Sequence, residues 1–413
     1  MGEPREKVYR PQTQDRTTIR KPFLRLSLSV VMFSLGLPLW AQQGRIYRDG
    51  NSWVEELAGT LPAARQLRVN TDLGSVEVQG DAPRLSYVIR KRSYAPTEEA
   101  ARRQFEQMHV SANKVGQSNL IDAKIAARNL SRFGAEFMVQ VPREVSLVKV
   151  QTRTGSLTFS SIAATIEATT GAGLIKLDDL AGPVKISSGG GNVEAGNLGS
   201  DLTLTSGAAD VRVANVSGQT QVSLGGGRVY IGSSRASTIQ TGAGSIQVQK
   251  CVGDLHVISG GGNLYLGDVE GAVQAETEGG SVRLASASGP VRVTTGGGSV
   301  QLYNLSGGAQ VETGAGPIFV EFLGKHGFTD SFLHTAAGDV TVCFAGNFPV
   351  TVHATSDMTI GYGIFSEIPG LSITQQGGQF SPKSMSAEGP LNGGGPTLRV
   401  RTTMGQIAFR KCH

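Results

Sequence analysis

A glycine triplet recurs along this chain at a fixed step, and no other feature restricts the possible folds as tightly. The triplets begin at Gly171, Gly189, Gly207, Gly225, Gly242, Gly260, Glu278, Gly296 and Gly314, 18 residues apart with one step of 17. A short, constant period over a long segment is the signature of a solenoid. One unit is "PVRVTTGGGSVQLYNLSG", residues 290–307. With its slots numbered 1 to 18 and the triplet at 7–9, apolar residues fall at slots 2, 4, 11, 13 and 16. They are Val291, Val293, Val300, Leu302 and Leu305 here, and Leu255, Val257, Leu264, Leu266 and Val269 in the unit from Asp254. Alternation with period two marks strands with one buried face. Slot 6 is usually Ser or Thr, and slot 18 is often Gly. Each unit is therefore two short strands joined by turns at slots 7–9 and 17–18.

Two architectures fit such units: a parallel β-solenoid with one unit per coil, or an antiparallel meander or propeller of hairpins. In a solenoid, equal slots of successive coils lie one strand spacing apart, ~4.8 Å, where like charges repel. Slot 3 begins Lys149, Glu167, Lys185, and slot 12 runs Lys176, Glu194, Arg212. Both columns alternate in sign, and between 147 and 323 no column stacks two acidic residues on adjacent coils. The columns favour the solenoid. Its corners suit glycine, which accepts φ > 0, and its narrow core closes only when neighbouring coils stack.

The flanks carry the same slots. "QLRVNTDLGSVEVQG" from Gln66 places Leu67, Val69, Thr71, Val76 and Val78 in register, and "TLRVRTTMGQIAFRK" from Thr397 places Leu398, Val400, Thr402, Ile407 and Phe409. Between about 80 and 145 the pattern breaks. "PTEEAARRQFEQMHV" predicts a short helix with Thr97 as N-cap, Glu98 and Glu99 in the first turn, and Ala101, Phe105 and Met108 on one face. The stretch from about 346 to 396 is irregular, with "EGPLNGGGP" as a loop before the last coil. Atypical ends are expected where terminal coils must shield the core.

Residues 1–41 have the pattern of a signal peptide. Seven basic residues from Arg5 to Arg25 precede the apolar run "LSLSVVMFSLGLPLW", and Ala41 is a cleavage position. That run is about 15 residues, short of the ~20 that span a bilayer, so cleavage is favoured over an uncleaved anchor. The domains are then 1–41 signal peptide, 42–145 β-rich cap with the first coil and short helix, 146–345 regular solenoid, and 346–413 irregular coils and cap. Of 38 basic and 33 acidic residues, 7 and 3 lie in the leader, which leaves 31 against 30. Nucleic-acid binding needs a basic face, and this balance offers none. Cys251, Cys343 and Cys412 are too few for a disulfide framework. Such a sparse set favours free or buried thiols, although Cys343 and Cys412 could pair in an oxidising compartment.

The leader, the "VNTDLGSVEV" opening, the "PTEEAARRQFEQM" helix, the VxVxTGxGxVxL-like coils and the closing "LNGGGPTLRVRTTMGQIAFRK" together resemble the bacterial putative-adhesin β-strand-repeat family of unknown function. The resemblance covers nearly all of the chain after the leader and rests on turn and core residues. It implies an all-β fold, a single-stranded right-handed parallel β-helix of ~18-residue coils with one short helix near its N-terminal end. It also implies export to the periplasm, the outer-membrane surface or the medium. Right-handedness agrees with the general rule for parallel crossovers. No catalytic residue is carried over.

Chemistry-bearing patterns are sparse. No triplet precedes a helix or GK[ST], as a phosphate loop requires. The glycine pairs lack the regularly placed Asp of a calcium roll. His109, His256, His326, His334, His353 and His413 show no metal-ligand spacing; His256, at slot 3, is expected to be solvated. Asp178 and Asp179 should face opposite sides of an extended strand, and Glu276 and Glu312 share slot 5 two coils apart. Neither pair has the further partners that polysaccharide cleavage requires, so no catalytic residue, metal or cofactor is assigned. One stripe stands out. Slot 12 continues Tyr230, Gln247, Tyr265, Arg283, Gln301 and Phe319, with Tyr303 beside Gln301 at slot 14. Such a row could stack on the sugar rings of a glycan or dock an envelope or surface protein; it could equally be an ordinary β-face of good cross-strand neighbours.

Overall fold

A computed structural model describes residues 44–126, 133–323, 327–358, 363–377 and 383–412. These fall in one compact unit, Gln43–His413; the expected signal peptide, His326 and His413 lie outside the described residues. The unit is a parallel β-solenoid. Slots 1–6 of each coil form a rung of one sheet, here the back sheet, and slots 11–16 a rung of the front sheet. Val291 pairs in parallel with Val273 and Ala309, and Val282 with Leu264 and Val300. Equal slots therefore lie over one another. Lys149 reaches Glu167 at 3.0 Å, and Glu194 sits in register between Lys176 and Arg212.

The core is the space between the sheets. Leu255, Val257, Leu264, Leu266 and Val269 are buried at slots 2, 4, 11, 13 and 16. Slot 6 is buried as well, and its hydroxyls close the corners. Thr277, Thr295 and Thr313 donate to the carbonyls of Gly262, Gly280 and Gly298 at 2.9–3.1 Å. A core-facing polar residue is thereby satisfied while it ties one corner to the previous one. The single 17-residue step removes a residue from the turn between slots 16 and 1, so both sheets keep their pairing there. In that coil polar groups enter the core: Ser234 and Ser237 share a hydrogen bond of 2.6 Å.

The triplet glycines serve close approach, and at the third position often a left-handed φ as well (106–140° at Gly173, Gly191, Gly227, Gly244 and Gly316). A Cβ on Gly296 or Gly298 would strike the carbonyls of Glu278 and Gly280 in the coil before, whereas one on Gly297 meets nothing within 4 Å. The middle position is where Ala replaces Gly at 172, 208, 243 and 315; only at 209 does Ala take the third position.

Both ends depart from simple winding. The coil of Gln66–Thr71 and Ser75–Gln79 is first in the repeat register but not outermost. Ser118–Ile125 and Phe133–Gln140 fold back to lie beyond it, parallel to it. Outside these, Met108–Val115 and Ser86–Ser93 add antiparallel rungs, and the hairpin Arg45–Asp49/Ser52–Thr60 completes the front sheet. The helix forms over Glu98–Phe105, capped by Thr97, with Ala101 and Phe105 buried against Ile46 and Trp53. Met108, expected on the helix, instead opens the strand that follows, because pairing with Ile125 draws it into the back sheet.

The other end mirrors this. Thr397–Met404 and Ile407–Cys412 insert between Ser331–Ala337/Val340–Ala345 and Val350–Met358/Ile364–Ser366. The last coil in sequence is thus interior. The segment expected as a loop before it contains a strand, Ser384–Leu391, antiparallel to Val350–Met358. Cys343 and Cys412 are joined in a disulfide with Cα atoms 5.5 Å apart, contrary to the expectation of free thiols, because the inserted coil brings them onto neighbouring rungs. Cys251 is a buried free thiol.

Candidate functional site

In the regular coils from Leu157–Ile162 to Val300–Leu305, each front-sheet strand alternates until slot 14 and then breaks step: slots 14 and 15 both face outward before slot 16 turns in. In three coils a left-handed φ at slot 15 (54° at Ser161, 52° at Asp179, 51° at Asn304) makes the adjustment; at Asn197, Asn215, Ser233, Lys250, Asp268 and Ser286 it does not. Asp178 and Asp179 are therefore both exposed on the same side, not opposed as extended geometry predicts. Slot 15 is rich in Asn, Asp and Ser, which tolerate this conformation and link along the column. Asn215 donates to Asn197 at 2.8 Å and Ser233 to Asn215 at 2.9 Å.

Slot 12 forms the row expected from the sequence. Arg212, Tyr230, Gln247, Tyr265, Arg283, Gln301 and Phe319 occupy consecutive, paired rungs of the front sheet. Contacts divide the row into two clusters. The Arg212 guanidinium lies over the Tyr230 ring, 5.2 Å from its centroid. Arg283 lies over Tyr303 at 5.2 Å, and Tyr303 contacts Phe319 with ring centroids 5.1 Å apart. Between them Tyr265 is 46% exposed, its hydroxyl accepting from Asn263 at 3.2 Å. Glu276 and Glu312, by contrast, are separated by Thr294 on the back sheet.

Slot 14 determines the relief, and its role is not evident from the stripe alone. Gly196, Ala214 and Gly232 leave a trough of about 600 Å³ beside Glu194, Arg212 and Tyr230. A second depression of about 370 Å³, on the other flank of the row, is bounded by Asn192, Asp210, Arg228, Gln247 and Tyr265. From Glu194 to Tyr230 the row is thus a ridge with a groove on each side, and the sequence signal for it is the small residues at slot 14. On the second flank Arg228 bonds Asp210 at 2.7 Å through its side chain and at 3.0 Å through its backbone N–H. These bonds, the side-chain one foremost, hold the Asp210 carboxyl below its ordinary pKa. The ridge offers π-faces, guanidinium groups and amides to solvent, a surface for flat polar ligands.

The histidines stand apart. His334 stacks on Phe332, and His353 Nδ1 lies 3.5 Å from Glu388. His256 is half-buried rather than solvated, and its Nε2 has neither water access nor a hydrogen-bond partner. Among the described residues no three His, Cys, Asp or Glu side chains are grouped to hold a metal, and no helix is long and apolar enough to cross a membrane.

No family model and no curated protein matches the chain. Solved structures do. The chain is similar to proteins described as putative adhesins. A putative cell adhesion protein from Clostridium sporogenes is 8% identical, with 87% of this chain and 100% of that one covered and a TM-score of 0.21. A putative adhesin from Bacteroides fragilis is 9% identical over 87% and 97% of the two chains, with a TM-score of 0.23. One from Parabacteroides merdae is 13% identical over 70% and 95%, also with a TM-score of 0.23.

Proposed function

We propose that this protein is an exported, non-enzymatic binding scaffold of the cell envelope, an adhesin in the broad sense, whose contact surface is the front-sheet ridge. The observation that carries this reading is the row itself: aromatic, amide and guanidinium side chains on consecutive rungs, flanked by grooves at its Glu194–Tyr230 end. Tyr230, Gln247, Tyr265, Arg283, Gln301 and Tyr303 are its contact residues. Rings and guanidinium planes spaced by the strand repeat suit stacking on successive sugar rings. Export is supported by the leader-like first 41 residues and by the Cys343–Cys412 disulfide, which persists in oxidising compartments. The test is a glycan array and a cell-binding assay with the Tyr265→Ala/Arg283→Ala variant. Loss of glycan binding supports the reading; loss of cell binding alone points to a surface protein as the ligand; unchanged binding in both makes the row a plain sheet face.

A second reading, a structural component that stacks end to end, draws on the strand Ser372–Gln376. Among the described residues it pairs on one side only, with Ser384–Leu391, is exposed throughout and carries no charge. An uncharged free edge invites pairing with another chain. Light scattering that grows with protein concentration would favour it.

A further inference from the structure

The outward face of the back sheet looks away from the ridge, across the core, and holds a depression of about 720 Å³. Its floor is slot 3, where Thr203, Gln221, His256, Gln274, Arg292 and Gln310 stand in one column, with Thr238 between Gln221 and His256. Seven rungs at ~4.8 Å give a trough roughly 29 Å long. Beside that column the corner slot 1 is small at Ala236, Ala272 and Gly308, which leaves the space open there. Thr329 and Asp330 close its far end.

The chemistry of the trough is uniform in kind. Apart from the His256 imidazole, no aromatic ring lines it. Asp201 and Asp254 each commit one oxygen to a backbone N–H of the next coil, Gln219 and Ala272, at 2.8 Å, which leaves the other as an acceptor. Gln amides and Thr hydroxyls both donate and accept, and Arg292 donates only. A polyanion would meet the carboxylates of Asp201, Asp254 and Asp330, and an apolar ligand would bury unpaired amides. A chain of hydroxyls, able to donate and accept at every step, meets no such penalty.

We propose that this trough binds an uncharged polysaccharide strand, laid along the solenoid axis and held by hydrogen bonds to the slot-3 column. The protein then has two binding faces of different chemistry, directed away from each other, and can link two polymers.

The test is affinity electrophoresis of the purified protein in gels containing dextran, pullulan, galactomannan or a linear β-glucan, with polygalacturonate as the acidic comparison. At least one neutral polymer is expected to retard the protein. Gln274→Ala/Arg292→Ala should weaken that retardation roughly tenfold, and Ala272→Trp, which fills the trough, should do likewise. Tyr265→Ala/Arg283→Ala, on the opposite face, should leave it intact. Both Gln274 and Arg292 are exposed, so their double variant keeps the fold, and an unchanged urea midpoint checks this. The proposal is overturned if no neutral polymer retards the protein, if only polygalacturonate does, or if retardation survives the Gln274/Arg292 variant. Neutral-polymer binding lost only in the Tyr265/Arg283 variant would overturn it too, while supporting the ridge.

Discussion

The Arg212 guanidinium carbon lies 5.2 Å from the centroid of the Tyr230 ring, one rung away in the front sheet, while the opposite rung presents Glu194. Charge and ring thus share one column. Arg212→Glu sets two carboxylates in register and removes the cation over the ring. We expect a loss of about 0.5–1.5 kcal/mol, smaller at high salt because the column is exposed. Arg212→Gln should cost less. Urea denaturation at low and high ionic strength measures both.

Gly297 and Gly298 are adjacent and should respond oppositely to Ala. Gly298→Ala drives a Cβ into the Gly280 carbonyl, whereas Gly297→Ala enters open space. We expect the first to destabilise by about 2–4 kcal/mol. The second should be neutral or stabilising by up to ~1 kcal/mol, through the less flexible unfolded chain. Thermal melts of the two variants decide it, and equal effects would refute the close-stacking account of the triplets.

Thr277 and Thr295 donate to corner carbonyls from inside the core. Thr→Val keeps the shape and leaves the carbonyl without that donor. Each replacement should cost about 1–2 kcal/mol, and the double variant about the sum or more, since Thr277 and Thr295 occupy adjacent rungs. Chemical denaturation gives both values.

Asp210 titrates below the ordinary carboxylate range because Arg228 bonds it. A depressed folded-state pKa contributes stability above the unfolded value, near 4, and loses it as pH falls through the folded value. Arg228→Ala should raise the Asp210 pKa but not fully restore it while the backbone N–H of residue 228 still donates. Carboxyl NMR titration reads the shift. The stability change should be small, since the pair is solvent-exposed.

The Cys343–Cys412 bond closes a loop of 69 residues, for which chain entropy gives about 4 kcal/mol at most. Reduction, or Cys343→Ser/Cys412→Ser, should therefore loosen the terminal coils before the regular ones. Hydrogen exchange should speed up in Ile407–Cys412 while Val282–Ala287 stays protected. Uniform protection after reduction would show that packing alone holds the last coil. The stacked Phe322, Phe344 and Phe409 are the packing in question.

The regular coils were legible residue by residue. Slots 2, 4, 11, 13 and 16 are buried as the alternation predicts, and the slot-12 residues occupy consecutive rungs. The slot-6 hydroxyls were visible as a pattern but not as core groups, because burial of a polar residue depends on an acceptor supplied by another coil. The shape around the ridge was not legible either, since a groove is a difference in side-chain size between slots 12 and 14 summed over several rungs.

The sequence by itself determined the period, the buried slots and the stacking of equal slots, because each of these follows from local alternation repeated at a constant step. Only the tertiary structure decided the order of the end coils, the Cys343–Cys412 pairing and the reversal of Asp179 to the face of Asp178. The physical reason is that a parallel rung can be added by any segment with the right alternation. Which segment takes the place beside Gln66–Thr71 or Ser331–Ala337 is set by chain return and edge capping, and those depend on contacts between residues far apart in sequence.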